Sequence, residues 1–566
     1  MSVASFPFLL FCLVLTAVYY ILPACSSYGS RLLSAGRRVA GREDTVSRRK
    51  AHRQAQDCGV QWIILLVFSL FFYTRSGWAG FVFMAITTAA TYLAALWMER
   101  ENAASQRRLS EISGGQVRQE KAREREQTKR KKRRFFTLMC VPVFGIWVVL
   151  KYGAMLVSTA QSLLPAADFS AAQLRAESFI LPLGLSFYTF NAAGYVIDVS
   201  RKKYPAERNI FKYLLFLSFF AHIVQGPFSR YDRLGKDLFR RHRLKAANLT
   251  AGAERMLFGF MEKYLIADRM AKAIAASMSG MEDNPGVFLF LAILGYGIQL
   301  YADFRGYMDI VCGICRMLDI RLEENFRQPY FSVSLRDYWT RWHVTLGNWY
   351  TDYIFYPASM GHTAQRLGRR SRKLFGARMG KLIPGYFAMI FVWTLTGLWH
   401  GASWTYVIWG WLNFAVIVFS MQMEPVYGAL KKGLRIDSGS RALKLWQMLR
   451  TVLVVSLLRI FYCSASVDEA LRYIRLMLTP NYHELLLHPV MLLEQVWVGS
   501  GKGISLFFVL GGTLLMLISD ILKEKGKELK IPWPLRAALW ALLFCLVLLG
   551  YKGSASGTST FMYANF

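Results

Sequence analysis

The stretch TLTGLWHGASWTYVIWGWLN, residues 394–413, decides how the rest of the chain is read. It carries no Lys, Arg, Asp or Glu, and its single histidine, His400, stands among tryptophan, leucine and glycine. Apolar runs extend on both sides, over 382–400 and 401–421. Each approaches the roughly 20 residues needed to cross a hydrocarbon layer. The two read as neighbouring transmembrane helices with a histidine at their junction.

Working outward, apolar stretches of similar length recur at 6–24, 59–74, 77–98, 135–157, 178–199, 286–302, 446–463, 504–521 and 533–551. With the central pair, this predicts eleven spanning helices or more. The shorter piece 213–228, broken by Gln225-Gly226-Pro227, reads as re-entrant, and 254–278 reads as an interfacial helix or one packed at the edge. The run from Phe6 to Ala24 ends in LPAC like a lipoprotein signal, yet no basic segment precedes it, so it reads as the first span. A hydrophobic fraction of 54% and a mean hydropathy of +0.27 agree with an all-α integral membrane protein. One membrane-embedded body is expected, with N-terminal helices in 1–175, a core in 176–465 and C-terminal helices in 466–566.

The net charge of +33 raises the question of nucleic acid. Its basic residues, however, concentrate between apolar stretches, with eight Lys/Arg in 30–56, thirteen in 100–134 and seven in 366–381. The positive-inside rule accounts for this pattern and puts these loops in the cytoplasm of a plasma-membrane protein. The hairpin 59–98 then leaves the cytoplasm and returns, which places Met1 outside. Segment 100–134 reads as a solvated helix or one drawn to anionic lipid, and no nucleic-acid partner is expected. Cys312 and Cys315 have C-x-x-C spacing, but no second Cys/His pair stands nearby. Core packing is the expected role, with no metal site.

Ionisable side chains inside a bilayer are costly, which makes each one a functional candidate. His400 is one. The other is His343, in YFSVSLRDYWTRWHVTLGNWYTDYIFYP (330–357), where Tyr338, Trp339, Trp342, Trp349 and Tyr350 crowd around it. A neutral imidazole in such a setting can serve as a general base near neutral pH. It can equally be a hydrogen-bonded structural residue within an aromatic belt.

Five ordered blocks extend the pattern: 181–201, 217–234, 301–330, the RWHVTL block and 397–410. From Leu181 onward the chain resembles the membrane-bound O-acyltransferase family, in particular its bacterial branch of alginate O-acetylation proteins and the teichoic acid D-alanyl transfer protein. The resemblance implies a helical bundle around a funnel or tunnel, with His400 as the catalytic residue and His343 nearer the cytoplasm. It implies no permanently bound cofactor. The donor would be a cytoplasmic acyl thioester, acetyl-CoA or an acyl carrier protein, and the acceptor an extracytoplasmic polysaccharide or teichoic acid. A second, extracytoplasmic acyltransferase is an implied partner, as are membrane lipids. A covalent acyl-histidine route stays open.

Within the matching blocks Asp303, Asp309, Asn325 and Arg341 are candidate substrate contacts, with ion pairing at helix ends as the alternative. Tyr301, Trp342 and Trp404 are candidate tunnel walls or core residues. The first 175 residues, and 100–134 above all, exceed what the family's compact bacterial members lead one to expect. The terminal FMYANF and the DYIFYP segment lean toward the alginate-type branch. A straight helix from Leu382 would carry His400 about 27 Å, close to the far face; a tilted, broken or later-starting helix would remove the conflict, with Pro384 or Gly397 as the place for a break. Two readings from outside this activity are a proton-coupled transporter or flippase, although no inverted repeat is visible, and a scaffold that keeps the fold without chemistry.

Overall fold

The computed structural model describes Val3 and residues 5–38, 60–74, 77–113, 116–164, 182–499, 504–527 and 531–550. Most of basic loop 30–56, the start of span 178–199 and the terminal FMYANF lie outside the described residues. Among those described the architecture is helical, with no strand and one isolated bridge between Phe326 and Trp342.

In chain order the principal helices begin with α1 (Phe6–Arg38), α2 (Gln61–Tyr73), α3 (Gly77–Glu111), α4 (Val117–Leu163), α5 (Leu185–Ser200) and α6 (Ile210–Ser218). There follow α7 (Ala246–Met261), α8 (Asp268–Ser279), α9 (Val287–Met317), α10 (Leu335–Arg341), α11 (Val344–Tyr350) and α12 (His362–His400). The last are α13 (Trp404–Gly433), α14 (Arg441–Cys463), α15 (Val467–Met477), α16 (Pro489–Trp497), α17 (Ile504–Glu524) and α18 (Trp533–Gly550). Eight described helices are long and apolar enough to span a membrane, or nine when the bent α4 is included. The shortfall from eleven lies at 59–74, where α2 has only 13 residues, and at 178–199, where α5 has 16.

The chain forms two compact units. One comprises Met1–Ala253 with Val311–Glu323. Within it, the described part of segment 100–134 is helical and largely exposed, running over the end of α3 and the start of α4. The end of α3 pairs with the start of α4, because Arg108 reaches Glu101 at 2.6 Å and Glu124 at 2.8 Å while Thr128 donates to Ser105. Asn102 donates to the Val199 carbonyl at 3.0 Å, fastening α5 to this hairpin. Segment 213–228 breaks at Phe219, between α6 and a short turn of helix over Phe220–Ile223. Cys315 and Cys312 are buried near the end of α9.

The other unit comprises Glu254–Ile310 with Glu324–Phe566. Of the two readings of segment 254–278, packing against the bundle is the one its burial supports: every residue from Phe260 to Ala267 is buried, the charged Glu262 and Lys263 included. Buried charge needs partners, and these are present: Lys263 pairs with Asp303 at 2.7 Å and Glu262 with Arg305 at 3.1 Å. The expected loop 366–381 is helical as well. Its residues up to 375 belong to the outer arm of α12 and those from 377 to the inner arm, with the turn at Gly376, whose φ of 83° and ψ of 178° suit glycine alone. The helix therefore breaks at neither Pro384 nor Gly397. Pro384 packs within the turn instead, so close to Gly368 that a Cβ there would lie 2.8 Å from its ring. From residue 377 the inner arm runs to His400, where it ends.

Candidate active site

Close helix contact positions His400. A Cβ on Gly397 would stand 2.4 Å from the Tyr406 carbonyl oxygen, and one on Gly410 would stand 2.4 Å from that of Trp393. Small residues at both positions let the backbones of α12 and α13 touch, as helices in lipid commonly do. Ser403 caps α13, its hydroxyl accepting from the Thr405 amide, so the turn between the helices is only three residues long. The imidazole at the end of α12 is buried among Trp399, Tyr406, Trp409 and Tyr462. Its Nδ1 lies 3.3 Å from the hydroxyl of Tyr462 on α14.

His343 is held differently. It precedes α11 with φ 48° and ψ 50°, a left-handed conformation uncommon outside glycine, for which histidine is one of the more tolerant residues. Asn325 fixes this junction. Its backbone oxygen accepts from the Val344 amide at 3.0 Å, and its side-chain oxygen accepts from the Thr345 hydroxyl at 2.6 Å. The same side-chain oxygen lies 3.3 Å from His343 Nδ1. Phe304 covers the ring edge-on at 4.9 Å. Burial pushes the His343 imidazole down to about 3, which keeps it neutral at physiological pH.

The two histidines meet through one indole. The Trp399 ring lies 5.6 Å from the His343 ring and 4.7 Å from that of His400. Segments 57 residues apart in sequence thus form one aromatic site with two neutral-capable bases. In such water-poor surroundings an imidazole can accept a proton from a bound hydroxyl and return it to a leaving group.

Of the other candidates, Asn325 and Trp342 belong to this site; Trp342 is buried against Phe326, Tyr338 and Tyr301. Tyr301 is in part a structural residue, donating to Asp520 at 3.0 Å. Asp303 pairs with Lys263, Asp309 with Arg255 at 2.8 Å, and Arg341 with Asp337 and Glu524, so these three serve ion pairs. Trp404 is not a core residue. It opens α13 with 46% of its surface exposed, since the short turn leaves it at the helix end. Sequence reading missed Tyr462 and Arg459, both on α14, because no local pattern ties that helix to either histidine motif.

Membrane-length helices gathered around two buried imidazoles define a polytopic membrane protein with a site suited to proton transfer away from water. The chain belongs to the membrane-bound O-acyltransferase family, whose model matches residues 147–459. It is similar to a probable alginate O-acetylase of Azotobacter vinelandii, 31% identical over 360 residues that cover 59% of this chain and 66% of that protein. It also resembles a peptidoglycan O-acetyltransferase of Helicobacter pylori, 29% identical over 261 residues covering 41% of this chain and 46% of that protein. A teichoic acid D-alanyltransferase of Bacillus subtilis is 29% identical over 238 residues, covering 42% of this chain and 58% of that protein. The chain therefore matches from about half to just under two thirds of the length of these relatives.

Proposed function

We propose that this protein is a membrane O-acyltransferase that moves a small acyl group, acetyl in the first instance, from a cytoplasmic thioester toward hydroxyls of a cell-envelope polysaccharide outside. Acetyl-CoA or an acyl carrier protein serves as the donor. A second, extracytoplasmic acyltransferase completes the route to the glycan. Membership of the family and the O-acetyl-transferring names of two relatives support this reading. The basic loops face the cytoplasm and the N-terminus lies outside, on the charge argument given above.

The observation that carries the proposal is the contact between His400 Nδ1 and the Tyr462 hydroxyl. With Nδ1–H donating to the tyrosine oxygen, Nε2 is left as the base. It takes the proton of the acceptor hydroxyl as the oxygen attacks the thioester carbonyl. A C–O bond forms, the C–S bond breaks, and the proton passes to the departing thiolate, giving an ester and a thiol. His343, neutral and buried, orients the donor. The activated thioester asks little more than positioning and exclusion of water.

The same chemistry would serve D-alanyl transfer from a carrier protein to teichoic acid, a reading favoured by the Bacillus subtilis relative. Purified protein in nanodiscs, supplied with radiolabelled acetyl-CoA or with D-alanyl carrier thioester, decides between the two. Transfer or thioester hydrolysis that disappears in His400→Ala supports the proposal. Undiminished turnover in that variant removes His400 as the base.

A further inference from the structure

Arg459, on α14, is a buried cation with an unusual set of neighbours. Only 5% of its surface is exposed, and among the described residues no carboxylate stands within ion-pair distance of it. Its partners are aromatic residues of the His343 block. Nη2 donates to the Tyr338 hydroxyl at 2.6 Å and Nη1 to that of Tyr330 at 3.4 Å, while Cζ lies 5.2 Å from the centre of the Trp342 ring. Gly297 faces Nη1 so closely that a Cβ there would approach to 2.6 Å.

The spacing along α14 gives this arrangement its meaning. Tyr462, which contacts His400 Nδ1, lies three residues further on, so one helix face touches both histidine blocks on successive turns. Tyr338 stacks on Trp342 at 5.7 Å with an interplanar angle of 18°, and Trp342 is bonded directly to the left-handed His343. A neutral donor could tie two tyrosines together at lower desolvation cost than a guanidinium without a counter-ion. A rigid planar fork, in contrast, can hold two hydroxyls and a ring face at once.

We propose that Arg459 is a positioning residue for acyl transfer, holding Tyr338 and Trp342 so that His343 keeps its place beside Trp399 and His400. This rests on the proposed acyltransferase activity, and it adds a residue that acts through others without touching the substrate. Its loss lowers turnover more than donor binding, because the donor still binds while the histidines are set less accurately.

The test compares Arg459→Met, Arg459→Lys, Tyr338→Phe and the double variant Arg459→Met/Tyr338→Phe, in protein confirmed monodisperse by size exclusion. The expected result is a loss of about tenfold in kcat for Arg459→Met with donor KM changed less than about twofold. Arg459→Lys recovers part of that loss, and the double variant is no worse than Arg459→Met because the two residues act as one arm. Independent multiplication of the two single losses, full activity in Arg459→Met, or an effect on KM alone overturns the proposal.

A second readout needs no turnover. In histidine-labelled protein, the His343 imidazole resonance, assigned with His343→Gln, should shift in Arg459→Met and in Tyr338→Phe while His242 is unmoved. An unmoved His343 signal in both variants overturns the positioning role. If the parent shows no acyl transfer but the shift is present, the activity reading fails while the positioning geometry stands.

Discussion

The hydroxyl of Tyr462 stands 3.3 Å from Nδ1 of His400, joining the last turn of α14 to the last residue of α12. In the proposed mechanism Nδ1–H donates to this hydroxyl, which leaves Nε2 to take a proton. Replacing Tyr462 with Phe keeps the ring packing against Trp409 and Tyr406 while removing the polar contact. One such hydrogen bond is worth about 1 kcal/mol, so kcat should fall roughly fivefold to tenfold with little change in melting temperature. Steady-state kinetics of the purified variant check this, and an unchanged kcat would detach Tyr462 from the chemistry.

Asn325 makes a broader set of contacts. It serves Val344 and Thr345 at the start of α11, and its side chain reaches His343. Asn325→Ala leaves the buried Thr345 hydroxyl without this acceptor, at a cost of about 1–3 kcal/mol. The variant is expected to lose both thermal stability and activity, whereas Tyr462→Phe loses activity alone. Melting curves and turnover measured on the same preparations separate the two.

Arg305 is the hub of a buried ionic cluster, 2.7 Å from Asp520, 3.1 Å from Glu262 and 3.7 Å from Asp309. Arg305→Leu removes the arginine partner of Glu262 and Asp520, while Asp309 keeps Arg255, and should destabilise the protein by about 3–5 kcal/mol. Asp520→Asn retains a hydrogen-bonding group for both Arg305 and Tyr301 and should cost less. Thermal unfolding in detergent ranks the pair, and equal losses would show that the arginine is not the hub.

Much of this was legible in sequence because lipid imposes simple rules. Long apolar runs gave α9, α13, α14, α17 and α18, and the two tryptophan-flanked histidines singled out in the sequence are brought together around Trp399. Asn325 was visible as a polar residue inside a matching block. Contact partners were harder to see. For Asp303 and Asp309 the sequence left substrate contact and ion pairing both open, because the cations that neutralise them, Lys263 and Arg255, sit 40 and 54 residues away in a segment that read as interfacial or packed at the edge. Tyr462 and Arg459 carry no local signal, since their importance arises only when α14 packs beside both histidine blocks. The turn at Gly376 was hidden because a loop rich in arginine and lysine is also a good helix former.

The buried His343 imidazole makes stability depend on pH in a definite direction. Its folded value is pushed down to about 3 from an ordinary 6.5. As pH falls below 6.5, the unfolded chain binds a proton at this residue that the folded protein does not. Stability should therefore decline on acidification, by about 1.4 kcal/mol per pH unit for this one group, until the folded value is reached. His242 is also depressed by burial and adds a slope of the same sign. Melting temperatures of the detergent-solubilised protein between pH 7.5 and pH 4.5 should fall accordingly. A His343→Gln variant should melt along a shallower curve, retaining the part due to the other buried histidines that burial depresses, His222 and His242. Curves of equal slope would mean that the His343 imidazole protonates as readily in the folded protein as in the unfolded chain, and the neutral second base of the site would be lost with it.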